Sequence, residues 1–126
     1  MEEVKVGEVL LSKEDLQKVI KTKRGNFVVK VADPLDKKAI IRNTAAATGN
    51  VPIDSIPVID YSYMSAIETL KIVIVESPDW FVGVESCIDD ELIMHLYNEY
   101  VKFETNFRRR LREGKIGGSS GGNKSS

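Results

Sequence analysis

Cys87 and His95 are the two side chains of this sequence whose types suit nucleophilic or metal chemistry. They are the single cysteine and the single histidine of the chain. A catalytic histidine needs a nucleophile or an orienting acid within reach, so a Cys–His dyad is one interpretation of the pair. The other is a solvated helix residue, because His95 directly precedes Leu96, which we expect to face the core. We favour the solvated histidine, and one cysteine with one histidine does not complete a structural zinc site.

Acidic residues and glycines form two further patterns with chemical meaning. Residues 89–91 (Asp-Asp-Glu) would suit acid–base catalysis or a cation, but carboxylates in the first turn of a helix are also favoured by the helix dipole. Residues 117–122 are rich in glycine, yet no strand pattern precedes them and no Lys–Ser pair follows at the spacing of a phosphate-binding loop. We therefore predict a protein that is not an enzyme, with no catalytic residue, no cofactor and no metal site.

The densest local charge is basic. Arg108, Arg109, Arg110 and Arg112 place four arginines within five residues. Such a cluster is typical of a surface that binds nucleic acid or an acidic partner, and it also complements the C-terminal end of a helix dipole. Both interpretations stay open. Nucleic acid is the less favoured partner, because the net charge is −1 and the nearby phenylalanines lie on an apolar stripe.

A second candidate contact is the aromatic pair Trp80 and Phe81, which follows Pro78 in an expected loop. At an exposed turn, such a pair would contact a partner protein. Alternatively, it closes the end of a small core, which is the more usual arrangement. The candidate partner-binding residues are therefore Trp80, Phe81, Arg108, Arg109, Arg110 and Arg112.

The composition describes one small globular protein. Of 126 residues, 42% are hydrophobic and 29% are charged, which is ordinary for a globular domain. A single cysteine excludes an internal disulfide and fits a reducing cytoplasm. No signal peptide is apparent, and the longest apolar run, residues 70–75, is too short to cross a bilayer. We therefore expect a cytoplasmic protein that does not contact a membrane.

Two segments near the N-terminus carry strand patterns. Residues 4–11 alternate imperfectly, and residues 27–31 (Phe-Val-Val-Lys-Val) are rich in β-branched side chains. Between them, Ser12 is a candidate helix cap followed by acidic residues. Apolar residues at spacings of three and four then predict a short amphipathic helix. Those residues are Leu16, Val19 and Ile20.

Two further helices are expected in the middle of the chain. The first begins with Asp33 as its cap and Pro34 in its first turn, and it ends at Gly49. The second covers residues 61–76. Its last part, residues 70–75, fits a buried strand equally well, and we favour helix because the first half has a clear helical period.

The last helix is the longest. It starts with the acidic residues and reaches the arginine cluster, so its length is roughly twenty-odd residues, or over 30 Å. We predict an α+β, mainly helical fold, with a small N-terminal antiparallel β portion packed on three to four helices and a long C-terminal helix. Residues 1–115 are expected to form a single globular domain and residues 116–126 a disordered Gly/Ser-rich tail. The apolar stripe of the last helix comprises Ile93, Leu96, Tyr100, Phe103, Phe107 and Leu111.

The order of these features over residues 27–115 resembles the small tail assembly chaperones of long-tailed bacteriophages. The resemblance rests on Val31-Ala32-Asp33-Pro34, on the helix that carries Ala66 to Val75, on Pro78-Asp79-Trp80 and on the helix led by Asp89-Asp90-Glu91. It implies a mainly helical protein with a small β portion that is not an enzyme. It also implies binding of the tape measure protein and tail tube subunits during tail assembly, and absence from the finished virion.

Two other functions remain open from the sequence. One is a structural virion protein, such as a head–tail connector or a tail completion subunit, which would stay in the mature particle. The other is a small nucleic-acid-binding regulator that uses the cluster from Arg108 to Arg112. The leading expectation is a protein partner, with the tape measure or tail tube protein suspected.

Overall fold

The β portion consists of two antiparallel sheets. A computed structural model defines the backbone of residues 3–6 and 9–114 and the side chains of residues 15–114. Its strands are β1 (Glu3–Val6), β2 (Val9–Ser12), β3 (Gln17–Thr22), β4 (Gly25–Lys30) and β5 (Ile74–Glu76). β1 pairs with β2 in a two-stranded sheet. β4 lies between β3 and β5 in a three-stranded sheet.

Helices make up most of the regular structure. They are α1 (Lys13–Leu16), α2 (Pro34–Ala47), α3 (Val58–Val73) and α4 (Asp90–Arg112). Single 3-10 turns at Ile53–Ser55 and Val84–Ser86 lie in the two connections that lead to α3 and α4. The fold is α+β and mainly helical with a long C-terminal helix, which confirms the predicted fold class.

The two predicted helix starts are formed by carboxylate caps. At α2, the Asp36 N–H donates to Asp33 Oδ1 at 2.8 Å, and the Asp33 N–H donates to Asp36 Oδ2 at 3.1 Å. At α4, the Leu92 N–H donates to Asp89 Oδ1 at 3.1 Å. Each carboxylate satisfies backbone donors that have no partner within the helix. The acidic residues at both starts therefore have a structural role.

The predicted helix over Leu16, Val19 and Ile20 is wrong. Only the single turn α1 is helical, and the chain continues as β3, in which Ile20 is buried and Val19 is exposed. Ile20 pairs with Phe27 across the hairpin, whose turn is fixed by the Thr22 hydroxyl donating to the Gly25 carbonyl at 2.7 Å. The ladder to β4 therefore overrides a helical spacing that is too short to decide the structure by itself.

Residues 70–75 contain both of the structures that their sequence allows. α3 continues to Val73, as favoured, but the preference for helix is wrong from Ile74 onward. Ile74 pairs with Val29 at the edge of the sheet. The strand forms there because the edge of β4 offers unpaired backbone groups. A local pattern does not reveal this pairing, because Val29 and Ile74 are more than forty residues apart in sequence.

The core lies between the three-stranded sheet and the helices α3 and α4. Its fully buried side chains come from all three elements. α2 packs against α3 at the border of this core, with Ile40 partly buried against it and Thr44 as the one buried residue of the helix. The largest fully buried side chains are Phe27, Val29, Leu70, Val73, Ile93 and Leu96.

The predicted Gly/Ser-rich tail, residues 116–126, lies outside the described residues, so the division into domain and tail stays a prediction.

No helix within the described part of the chain is long and apolar enough to span a membrane.

Replacing Leu96 with alanine is expected to lower the free energy of unfolding by about 3 kcal/mol, because the side chain is fully buried and leaves a cavity. Val101→Ala on the exposed side of the same helix serves as the control and is expected to change it by less than about 0.5 kcal/mol. Urea unfolding followed by circular dichroism measures both. Equal losses in the two variants would contradict the assigned buried face of α4.

Candidate functional site

Trp80 and Phe81 close one end of the core above the turn between β3 and β4. The Phe81 ring lies edge-on to Phe27 with 5.0 Å between centroids, and the Trp80 ring lies edge-on to Phe27 at 6.2 Å. Trp80 Nε1 donates to the Arg24 carbonyl at 2.7 Å, and the Arg24 guanidinium lies 4.7 Å from the Trp80 ring centroid. These contacts match the interpretation in which the pair closes the end of a small core, although 43% of Trp80 remains exposed.

The same turn is held from two further directions. Arg24 Nη1 lies 2.5 Å from Asp89 Oδ2, which ties the turn to the start of α4. Gly25 has φ +125°, and a Cβ placed on it would lie 2.5 Å from Pro78 Cγ. Because no other residue fits so close to a proline ring at this backbone conformation, Gly25 allows the loop that carries Trp80 to pack against the hairpin.

The four arginines of the predicted cluster differ in their contacts. Arg108 is turned inward, where Nη2 donates to the Ala32 carbonyl and Nε donates to Glu104 Oε2, both at 2.8 Å. Arg109 donates to the side chain of Asn106 on the same helix. Arg110 and Arg112 are exposed and form no hydrogen bond or ion pair within the described residues. Only these two guanidinium groups are therefore available to a partner without breaking an internal contact.

Glu104 is the centre of a small charge network at this end of α4. Burial would raise the pKa of its carboxyl, but the hydrogen bond from Arg108 and the charge of Lys37, 3.3 Å away, outweigh it and lower the pKa. The network joins α4 to the first turn of α2. Because the pKa of Glu104 is lowered, its ionised carboxylate stabilises the folded state. Arg108 and Glu104 therefore have a structural role at this end of α4.

Lys71 lies beside a cleft of about 460 Å³ between α3 and the loop that precedes α4. Its Nζ is 3.0 Å from Glu85 Oε2 and 3.1 Å from Glu68 Oε1, and Glu68 is buried. The hydrogen bond to Glu85, followed by that to Glu68, raises the pKa of Lys71. A lysine nucleophile requires a lowered pKa, so this ammonium neutralises a buried carboxylate and does not suit Schiff-base chemistry.

His95 and Cys87 are the two side chains that the sequence offers for nucleophilic or metal chemistry. His95 is exposed on α4, as expected, and the Cys87 sulfur makes a long contact of 3.8 Å with the Asp89 carbonyl. Within residues 15–114, no group of three or more His, Cys, Asp or Glu side chains could hold a metal ion.

Four exposed apolar side chains lie close together in sequence between the end of α2 and the first turn of α3. We call this group the apolar tip and define it as Val51, Ile53, Val58 and Ile59. These side chains occupy the connection between α2 and α3 and the first turn of α3. All four are exposed, with Val58 at 82% and Ile59 at 78%. The signal in the sequence was the run of apolar residues interleaved with two prolines over residues 51–59.

The apolar tip continues the core-facing stripe of α3. That stripe comprises Ile59, Tyr63, Ala66, Leu70 and Val73, spaced alternately by four and three residues, so its members share one face of the helix. The last three are fully buried, whereas 39% of Tyr63 and 78% of Ile59 are exposed. The Tyr63 hydroxyl donates to Asp90 Oδ1 at 3.0 Å, so the start of α4 reaches Tyr63. Beyond that point the stripe is uncovered.

Comparisons with known proteins found no significant match. Neither protein-family models, nor curated proteins, nor solved structures match this chain. The surfaces exposed by the fold, first among them the apolar tip, are therefore the basis on which a function can be inferred.

Arg108→Ala is expected to lower the free energy of unfolding by about 1–2 kcal/mol, because it removes charge-assisted hydrogen bonds to Ala32 and Glu104. The matched control is Arg110→Ala, which removes an exposed guanidinium from the same helix end and is expected to cost less than about 0.5 kcal/mol. Chemical denaturation of the two variants measures the difference. A loss of equal size in both would show that the cluster acts through its total charge.

Stability is expected to fall at alkaline pH because of Tyr100. Burial raises the pKa of its phenol from the ordinary 10.0 to about 12. Between these two values the folded state retains a proton that the unfolded state has lost, so the free energy of unfolding decreases as pH rises. Urea unfolding at several pH values from neutral to pH 11 measures the slope. Tyr100→Phe is expected to flatten it, and an unchanged slope in this variant would contradict the assignment.

Proposed function

We propose that this chain is a non-enzymatic binding protein that covers an apolar, helical segment of a partner, acting as a tail assembly chaperone of a long-tailed bacteriophage. The observation that carries the proposal is the apolar tip, which leaves the core-facing stripe of α3 uncovered at its N-terminal end. Isolated exposed apolar residues are common on protein surfaces, but four of them within nine residues of the chain are typical of a contact surface. The resemblance of residues 27–115 to such chaperones names the client class: tape measure or tail tube proteins, bound in the host cytoplasm.

The binding mode would be the packing of one more helix beside α3. An amphipathic client helix would bury Ile59 and Tyr63 in the way that the core already buries Ala66, Leu70 and Val73. Each valine or isoleucine that is fully buried contributes roughly 1.5–3 kcal/mol before the cost of association is subtracted. A surface of four such residues supports reversible binding, which suits a protein that releases its client during assembly.

Of the alternatives that the sequence leaves open, the nucleic-acid-binding role receives less support from these contacts. A nucleic-acid-binding role would draw on the arginine cluster, but Arg108 and Arg109 already donate to groups of this chain. A structural virion protein would expose the same apolar tip to a permanent neighbour. Mass spectrometry of purified mature particles separates that role from the proposed one, because a chaperone is absent from them.

Ile59→Asp is expected to abolish capture of the client, because a carboxylate at the centre of the contact would have to be desolvated. The measurement is co-purification from cells that co-express this chain with a tape measure protein of a long-tailed bacteriophage. The substitution suits the fold, since residue 59 lies in the first turn of α3, where the helix dipole favours an acidic side chain.

The matched control is Val82→Asp, which places the same charge at an exposed valine outside the apolar tip and is expected to retain full capture. Circular dichroism and thermal unfolding verify that both variants are folded. Failure of the unaltered chain to co-purify with the client at low salt would refute the proposal, and so would equal capture by Ile59→Asp.

A further inference from the structure

The segment that carries the apolar tip contains acidic residues and no basic ones. Residues 43–70, which contain the whole connection between α2 and α3, include no lysine and no arginine. They include Asp54 in the 3-10 turn and Asp60 in the first turn of α3, and both are exposed. Neither carboxylate forms an ion pair with another residue of the described part of the chain. A partner that covers the tip therefore meets two carboxylates whose charge this chain does not neutralise.

The cations closest to this segment in sequence lie just outside it. Arg42, near the end of α2, is exposed and precedes Val51 by nine residues. Lys71, the first cation after the tip in sequence, is engaged with Glu68 and Glu85. At the foot of the uncovered stripe, the Tyr63 hydroxyl is bonded to the carboxylate of Asp90. The acidic start of α4 thus adds negative charge on the side where a client helix would lie against α3.

A second copy of this chain is a poor occupant for the same reason. Two identical tips in contact would bring their four aspartates together at the border of an apolar interface, where like charges repel strongly. A client with neutral polar borders would leave the aspartates without compensation, and an acidic client would be repelled. A client helix whose apolar stripe is bordered by lysine or arginine matches both the apolar residues of the tip and its two carboxylates.

We infer that the client segment recognised by the apolar tip is a basic amphipathic helix, with an apolar stripe flanked by lysine or arginine. This inference rests on the proposed function and adds the chemistry of the client. Apolar burial supplies most of the binding, while Asp54 and Asp60 select for positively charged borders and make the selection sensitive to salt.

The test uses three synthetic amphipathic peptides of equal length with one leucine pattern and with lysine, glutamine or glutamate at every polar position. Binding to the full chain is measured by fluorescence anisotropy at low and at high salt. At low salt the lysine peptide is expected to bind about tenfold more tightly than the glutamine peptide, and the glutamate peptide more weakly than both. High salt is expected to reduce the preference.

Asp54→Asn with Asp60→Asn is expected to reduce the lysine preference to less than about threefold. The control pair Glu76→Gln with Asp79→Asn removes the same charge from two exposed residues near the sheet and is expected to keep it. A lysine preference that is absent, or that survives the tip variant, would overturn the inference. So would a dimer of the purified chain that Ile59→Asp dissociates.

The outcomes also separate this inference from the proposed function. If the glutamine peptide binds as tightly as the lysine peptide and Ile59→Asp abolishes both, the apolar tip binds helices without charge selection, and only the client chemistry is wrong. If none of the three peptides binds, both the client chemistry and the apolar binding surface are refuted.

Discussion

The fold depends on covering one face of α4. This helix has 23 residues, and its buried side chains extend from Leu92 to Phe107. Because so long an apolar stripe is stable only against other apolar surfaces, the three-stranded sheet and α3 have to pack along it. The helix is fixed near both ends by arginines from different parts of the chain: Arg24 bonds to its cap Asp89, and its own Arg108 bonds to the Ala32 carbonyl.

This requirement accounts for the role of residues that resemble a binding surface in the sequence. Trp80 and Phe81 complete the core where the sheet turn meets the start of α4. Arg108 and Glu104 join the other end of α4 to α2. Trp80, Phe81 and Arg108, which are conspicuous in the sequence, thus hold the elements together, whereas Arg110 and Arg112 remain exposed.

The candidate binding surface lies where α4 no longer covers the apolar face of α3. α3 runs past the start of α4, so its apolar face is enclosed over Ala66, Leu70 and Val73 and open at Ile59. A helix that is half core and half surface offers a partner a preformed, ordered template, which reduces the entropy lost on binding. The acidic residues of the same connection add charge selection to an otherwise non-directional apolar contact.

The sequence alone determined the elements whose signals are local. The caps Asp33 and Asp89, the strand around Phe27 and Val29, and the stripe of α4 followed from side chains that act on neighbours a few residues away. The tertiary structure decided the rest. Residues 17–22 became a strand and Ile74 left the helix because β4 supplied backbone partners distant in sequence. Whether Arg108 faced solvent, and whether Ile59 was covered, depended on where α4 starts and ends relative to the other elements. Such relations between distant segments are not encoded in any local pattern, because they arise only when the elements pack.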